Sequence, residues 1–188
     1  MSEPTRITLP ADRATLATLC AGDEVLLSGA VFTARDATHK RIAAELAATG
    51  VLPHSLAGQV LFYAGPTPAR AGWPAGAVGP TTAKRMDAWT PELLAAGITA
   101  TIGKGTRSEA VRAACVQHGA VYFAAVGGAA ALLGTHVTAA EPVAWPELGT
   151  EALVRLTLCD FPAFVAIDTR GGDLYASAPH EWEGGVAK

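Results

Sequence analysis

Residues 22–41 read GDEVLLSGAVFTARDATHKR, and this stretch decides the fold class. Asp23–Thr33 is apolar and β-branched, bounded by Gly22 and by a charged cluster, the signature of a buried strand. The chain then turns at once into a helix over 37–48, with Asp36 as its expected N-cap, Ile42, Ala43 and Leu46 as an apolar stripe and Gly50 as its stop. A strand feeding a helix is the repeating unit of an α/β sheet, and the same alternation continues outward. Gln59–Tyr63 is a short buried strand ending at the turn AGPTP, and Arg70–Pro80 is a Gly/Pro loop. Thr81 or Thr82 caps an expected helix through Trp89, and a second short helix covers 91–96. The strand ITATIG ends at Gly103-Lys104-Gly105, a helix spans 108–118, and AVYFAAV is the next strand, followed by a small-residue turn or helix. Late strands fit 153–158 and 164–167, with Thr169–Gly172 as a hairpin loop before Leu174 and Tyr175. Residues 1–20, with Pro4 and Pro10, read as a polar, turn-rich lead-in. The expected class is therefore α/β with a mixed sheet.

With 188 residues, the chain can bury about 70% of its unfolded surface as one domain. Half its residues are hydrophobic and 16% are charged, which excludes intrinsic disorder. Fourteen basic residues against 17 acidic ones leave a net charge of −3. Nucleic-acid binding, which needs clustered excess cations, is not expected. Cys20, Cys115 and Cys159 lie far apart with no CxxC pair, so no disulfide framework and no self-contained metal site is expected. They read as buried, reduced thiols of a cytoplasmic protein. MSEPTRITLPADR lacks the apolar core of a signal peptide. Residues 113–140 carry no Asp, Glu, Lys or Arg, but His118, Gly127, Gly128, Gly134 and His136 break the run short of a membrane span.

Three places combine backbone geometry with charge. In TARDATHKRI, Arg35 sits where a buried strand ends, with Asp36 beside it and His39 one helical turn on; strand C-terminal ends are where α/β sheets contact ligands. The same residues also fit a solvated helix start. In GAVGPTTAKRMD, a Gly/Pro loop runs into a helix start bearing Thr81, Thr82, Lys84 and Arg85. Free N–H groups there would attract an anion, and the spacing puts Arg85 on the face of Thr81; simple capping is the other reading. In IGKG, Lys104 lies between two glycines, either against a ligand or in an exposed turn. Together these residues would form a small cationic pocket suited to a dicarboxylate.

These strings, with LFYAGPTPA, HGAVYFAAVGGAAALL and EALVRLTLCDFPAFVAIDTRGGDLY, resemble the C-terminal domain, or β subunit, of the class I iron–sulfur hydro-lyases, which include class I fumarase and L(+)-tartrate dehydratase. The likeness runs through residues 21–177, leaving 1–20 as a lead-in and 178–188 as a tail. It implies a swivelling β/β/α domain and a partner α subunit whose cysteines hold a [4Fe–4S] cluster, one iron acting as a Lewis acid. It further implies α/β pairs assembled into a higher oligomer, without nucleic acid or membrane. Carried across by motif, Arg35 and Arg85 would grip substrate carboxylates and Lys104 would add charge. Thr81 would be the catalytic base, with Thr82 beside it at the substrate and His39 and Asp36 in support. The implied reaction is reversible hydration of fumarate to malate, with tartrate dehydratase or mesaconate-type hydratase as alternatives and a non-catalytic dicarboxylate-binding or assembly module as another. Alone, the chain would be inactive.

Overall fold

The computed structural model describes residues 3–185, with side chains through Pro179. The side chain of His180 and residues 186–188 of the tail lie outside the described residues. Seven strands form one mixed sheet: β1 (Thr5–Leu9), β2 (Glu24–Thr33), β3 (Val60–Phe62), β4 (Ala100–Gly103), β5 (Val121–Ala124), β6 (Val137–Ala144) and β7 (Leu153–Ile167). Neighbours from β1 to β5 run parallel in chain order. β7 lies antiparallel to β2, β5 and β6. Because β7 pairs with β5 on one side and β2 on the other, the sheet closes into a barrel-like ring of β2, β3, β4, β5 and β7.

Two long strands make closure possible. β2 carries β1 along its first half and β3 along its second on one edge, and β7 along the other. The β2–β7 register breaks between Leu27 and Gly29, where Cys159 and Asp160 stand out as a bulge. Asp160 has φ +48° and donates its N–H to Ser28 Oγ at 2.9 Å. Such a bulge bends a strand sharply, so one 15-residue strand stands where the sequence reading placed two. At Gly29, φ is +118° and a Cβ would sit on the Leu9 carbonyl oxygen, so only glycine lets β1 approach.

Alternation along the strands divides the core in two. Val60, Phe62, Ile102, Phe123, Leu156 and Phe161 belong to the core inside the ring, with Leu16 and Val78. Leu61, Tyr63 and Tyr122 point the other way, into a second core with Ile42 and Leu46 of α2 (Asp36–Thr49), Leu93 of α3 (Thr90–Ala95), and Val111 and Cys115 of α4 (Glu109–His118).

Several expectations need correction. Within the lead-in, residues 3–20 are structured: they form β1 and a further helix, α1 (Arg13–Thr18), capped by Asp12. The expected helix from Thr81 or Thr82 to Trp89 is a 3-10 turn, Ala83–Met86, leading by way of further turn residues to α3. The stretch read as a small-residue turn or helix holds α5 (Ala130–Gly134), and β6 begins at its end and continues through residues for which no element was expected. After Asp168–Gly172 the chain enters α6 (Leu174–Gly185) rather than a strand. Asp168 shapes that turn, accepting the N–H groups of Ala21, Arg170 and Gly172 at 2.8–3.0 Å. Of the thiols, only Cys115 is buried, while Cys20 and Cys159 are exposed.

Candidate active site

Parallel β2, β3, β4 and β5 all end on one edge of the ring, and the candidate residues follow those ends. Arg35 comes two residues after β2, Lys104 directly after β4, and Thr81 returns to the end of β3 after the Gly/Pro loop. The loop is pinned by an Ala64–Pro80 bridge and by Thr81 N–H donating to the Tyr63 carbonyl at 2.6 Å. Lys104 N–H donates to the Thr81 carbonyl at 3.2 Å, and Ala83 N–H to the Lys104 carbonyl at 2.9 Å. Gly103 permits this stitch: a Cβ there would lie 2.9 Å from Tyr63 Cδ2 and 3.0 Å from Ala83 Cβ. The expected array of free helix N–H groups is therefore absent at Thr81 and Ala83, whose donors are spent on backbone carbonyls. Nor does the α-helical spacing from Thr81 to Arg85 apply. Thr82 occupies the N-cap position of the turn without a side-chain cap bond.

Arg85 instead meets Asp36. Its Nε donates to Oδ1 at 3.0 Å and its Nη2 lies 2.7 Å from Oδ2. Asp36 is thus not the N-cap of α2; Arg35 holds that position without a side-chain bond. The cap comes from across the fold, as Glu151 Oε2 accepts the Ala37 N–H at 2.8 Å and the Glu151 carbonyl accepts the Thr38 hydroxyl. Glu151 also lies 3.6 Å from Arg35 Nη2. Arg35 passes over Gly65, where a Cβ would come within 3.2 Å of its Cδ and Nη1, and its buried Nε has no hydrogen-bond partner among the described residues. The Lys104 side chain runs along Gly127, with Nζ 3.5 Å from where a Cβ would stand.

His39 lies beneath this surface, fully buried. Its Nδ1 donates to the Arg35 carbonyl at 2.8 Å, which leaves Nε2 as an acceptor without a partner among the described residues. Burial, aided by the nearby Arg107 charge, lowers its pKa to about 4, so the ring is neutral at pH 7.

Arg107 and Glu151 are absent from the sequence reading. Arg107 is 9% exposed, and its Nε donates to Asp87 Oδ1 at 2.6 Å. Burial opposes its charge, but Tyr63, Asp87 and Tyr122 together outweigh that and raise its pKa, and a guanidinium stays protonated in any case. Its only local signal was an arginine closing GKGTR.

The structure brings Thr81, Thr82, Arg85, Asp36, Arg35 and Lys104 to one edge, but not into an enclosed pocket. Arg85 is half-exposed, and clefts of about 270 and 310 Å³ beside the loop are lined by other residues, among them Thr67, Ala75 and Gly76 in one and Pro66, Pro142 and Thr150 in the other. Cys20, Cys115 and Cys159 do not converge, and among the described residues no three His, Cys, Asp or Glu stand where they could share a metal. No helix among those residues is long and apolar enough to cross a membrane.

Fold and site together define an α/β barrel-like domain that gathers three cations and two carboxylates at the shared end of its parallel strands. Comparison with known proteins names the class: the family model for the fumarase C-terminus matches residues 1–178. The chain belongs to the fumarase C-terminus family. It is 38% identical over 151 residues to the anaerobic class I fumarate hydratase of Escherichia coli (strain K12), covering 79% of this chain and 28% of that protein. Against fumarate hydratase 2 of Leishmania major the identity is 37% over 157 residues, or 82% and 28% of the two lengths. Against the L(+)-tartrate dehydratase subunit beta of Escherichia coli (strain K12) it is 33% over 175 residues, 90% of this chain and 86% of that one. The chain thus spans little more than a quarter of the fumarate hydratases it matches.

Proposed function

We propose that this chain is the β part of a two-subunit class I hydro-lyase, the swivelling β/β/α half, and that with an α-type partner it hydrates fumarate reversibly to malate. The observation that carries this reading is the convergence of Arg35, Thr81, Arg85 and Lys104 on one open edge of the ring. Cations that bind a compact dianion but stand on an open surface need a second surface to exclude water. In this reading the α subunit supplies that surface and the [4Fe–4S] cluster, since the three thiols here do not form a ligand set. α/β pairs then assemble further, in the cytoplasm.

Within this chain, Arg35 and Arg85 bind the two substrate carboxylates. Asp36 holds one edge of the Arg85 guanidinium, orienting its remaining N–H groups for a planar carboxylate. Glu151 does the same for Arg35 at longer range. Lys104 adds a third positive charge against the developing anion. Thr81 is the base in this reading: once its hydroxyl proton has passed to solvent or to a group of the partner subunit, its Oγ takes the proton from carbon during dehydration and returns it during hydration; its backbone is fixed by the bonds its N–H and carbonyl make. Thr82 lines the same edge.

A second reading keeps the chemistry and changes the substrate. The tartrate dehydratase subunit beta is a relative that this chain nearly spans end to end, which favours a separate-subunit enzyme acting on tartrate. The test is anaerobic copurification with the encoded partner, assayed on fumarate, malate and tartrate. Turnover by the complex alone, lost at least about a hundredfold in Arg85→Ala, supports the reading. A cluster-bearing complex inert toward all three acids refutes the substrate class.

A further inference from the structure

Behind the candidate site, on the helix-covered face of the sheet, one charged group is enclosed on every side. The Arg107 side chain is 0% exposed. Besides its Nε bond to Asp87 at 2.6 Å, its Nη2 donates to Thr90 Oγ1 at 2.7 Å and its Nη1 to Thr101 Oγ1 at 3.4 Å. Its Cζ lies over the rings of Tyr63 and Tyr122, with centroids 5.2 and 4.9 Å away, and the Tyr63 hydroxyl accepts from both Nη1 and Nη2 at 3.5 Å. Asp87 spends its second oxygen on the Ser108 N–H at 2.6 Å.

Three partners of Arg107, namely Tyr63, Tyr122 and Asp87, reach forward to the site. Tyr63 supplies the carbonyl that receives the Thr81 N–H. Tyr122 donates its hydroxyl to the Gly105 carbonyl at 2.9 Å, next to Lys104. Asp87 closes the 3-10 turn that carries Arg85. Arg107 itself lies three residues beyond Lys104. A buried ion pair is a weak source of net stability, since an apolar pair of similar volume does as well, whereas a planar fork with fixed partners is well suited to holding two segments in one register.

We infer that Arg107 and Asp87 form a buried brace that locks the Thr81–Arg85 segment against the Lys104 turn, and that Arg107 is a positioning residue for the site. Which reaction it serves rests on the function proposed above; the brace itself does not.

The test compares Arg107→Lys, which keeps the charge and loses the fork, with Asp87→Asn, which attacks the pair from its other side. Leu16→Ala, a cavity in the core inside the ring, is a control for lost stability alone. Two readouts are taken: kcat and KM on fumarate and malate for the complex with the partner chain, and amide exchange in the full chain by itself. The brace predicts that kcat falls at least about tenfold beyond the Leu16→Ala control. It also predicts that the Ala83 and Lys104 amides lose at least about tenfold protection while the β2–β7 ladder keeps its own. A kcat loss no larger than the control's, or protection at Ala83 and Lys104 that is unchanged or lost only in step with β2, overturns it. Should the wild-type complex turn over neither acid, the functional reading fails, and the exchange pattern alone decides the brace.

Discussion

The buried imidazole of His39 makes the stability of this protein depend on pH in a defined window. In an unfolded chain the ring takes a proton near pH 6.5, and in the fold only near pH 4. Between those values the unfolded state binds more protons, so folding stability rises with pH across the window and is fully present above it. Each tenfold difference in proton affinity is worth about 1.4 kcal/mol. Lowering the pH from about 7.5 to about 4 should therefore remove about 3 kcal/mol through this one residue. Asp168, whose carboxylate is held below its usual range by the N–H groups of Ala21, Arg170 and Gly172 despite burial, loses stability in the same direction as pH falls further, so a reference is needed. His39→Phe supplies one, because it fills the site between Tyr63 and Trp89 without titrating. Urea unfolding of both proteins across this range should give curves that converge toward low pH, with wild type losing about 3 kcal/mol more than the variant. Parallel curves would refute the reasoning, as would an NMR titration of His39 with its midpoint near 6.5 in the folded protein.

Three further outcomes follow from close contacts. Gly29→Ala places a methyl on the Leu9 carbonyl at a positive φ; we expect a loss of about 2–4 kcal/mol, with β1 amides exchanging first. Gly103→Ala forces Tyr63 and Ala83 apart, which should cost about 1–3 kcal/mol in denaturant and lower the activity of the complex more than the protein's melting temperature alone would account for. Glu151→Ala removes the acceptor for the Ala37 N–H and the partner of Arg35. It should destabilise by about 1–2 kcal/mol, with faster exchange confined to the first turn of α2.

What the sequence disclosed was whatever is decided by neighbours in the chain. β2 was legible from its β-branched run, and the helix expected over 108–118 is α4, which Ser108 caps through the Val111 N–H and Gly119 ends in a left-handed turn. The placement of Arg35, Thr81, Arg85 and Lys104 at strand ends and loop exits was legible, although the contacts they make were not. The failures share one cause, partners distant in sequence. The helix expected after Thr82 is instead a 3-10 turn, in a segment tied by the Thr81 and Ala83 N–H groups to the carbonyls of Tyr63 and Lys104. Asp36 does not cap α2 because Glu151 does so from far along the chain. β7 looked like two strands because Pro162 interrupts it; the bulge beside it and pairing with β2 carry the strand through. β6, VTAAEPVA, is Ala-rich and largely exposed, so only its pairing with β7 makes it a strand.

The same β7 sets an order of events during synthesis. Glu24 pairs with Phe164 and Thr33 with Val154, so the edge of β2 that will bind β7 is translated long before its mate. While the middle of the chain emerges, ten residues of apolar strand stand with open hydrogen-bonding groups, the kind of edge that recruits strands from other molecules. Ring closure must wait for residues 153–167 to leave the ribosome, and such distant pairing is slow even then. Nascent chains arrested before residue 153 should therefore be protease-sensitive and should engage holdase chaperones, and those carrying a C-terminal extension long enough to bring residue 167 out of the exit tunnel should not.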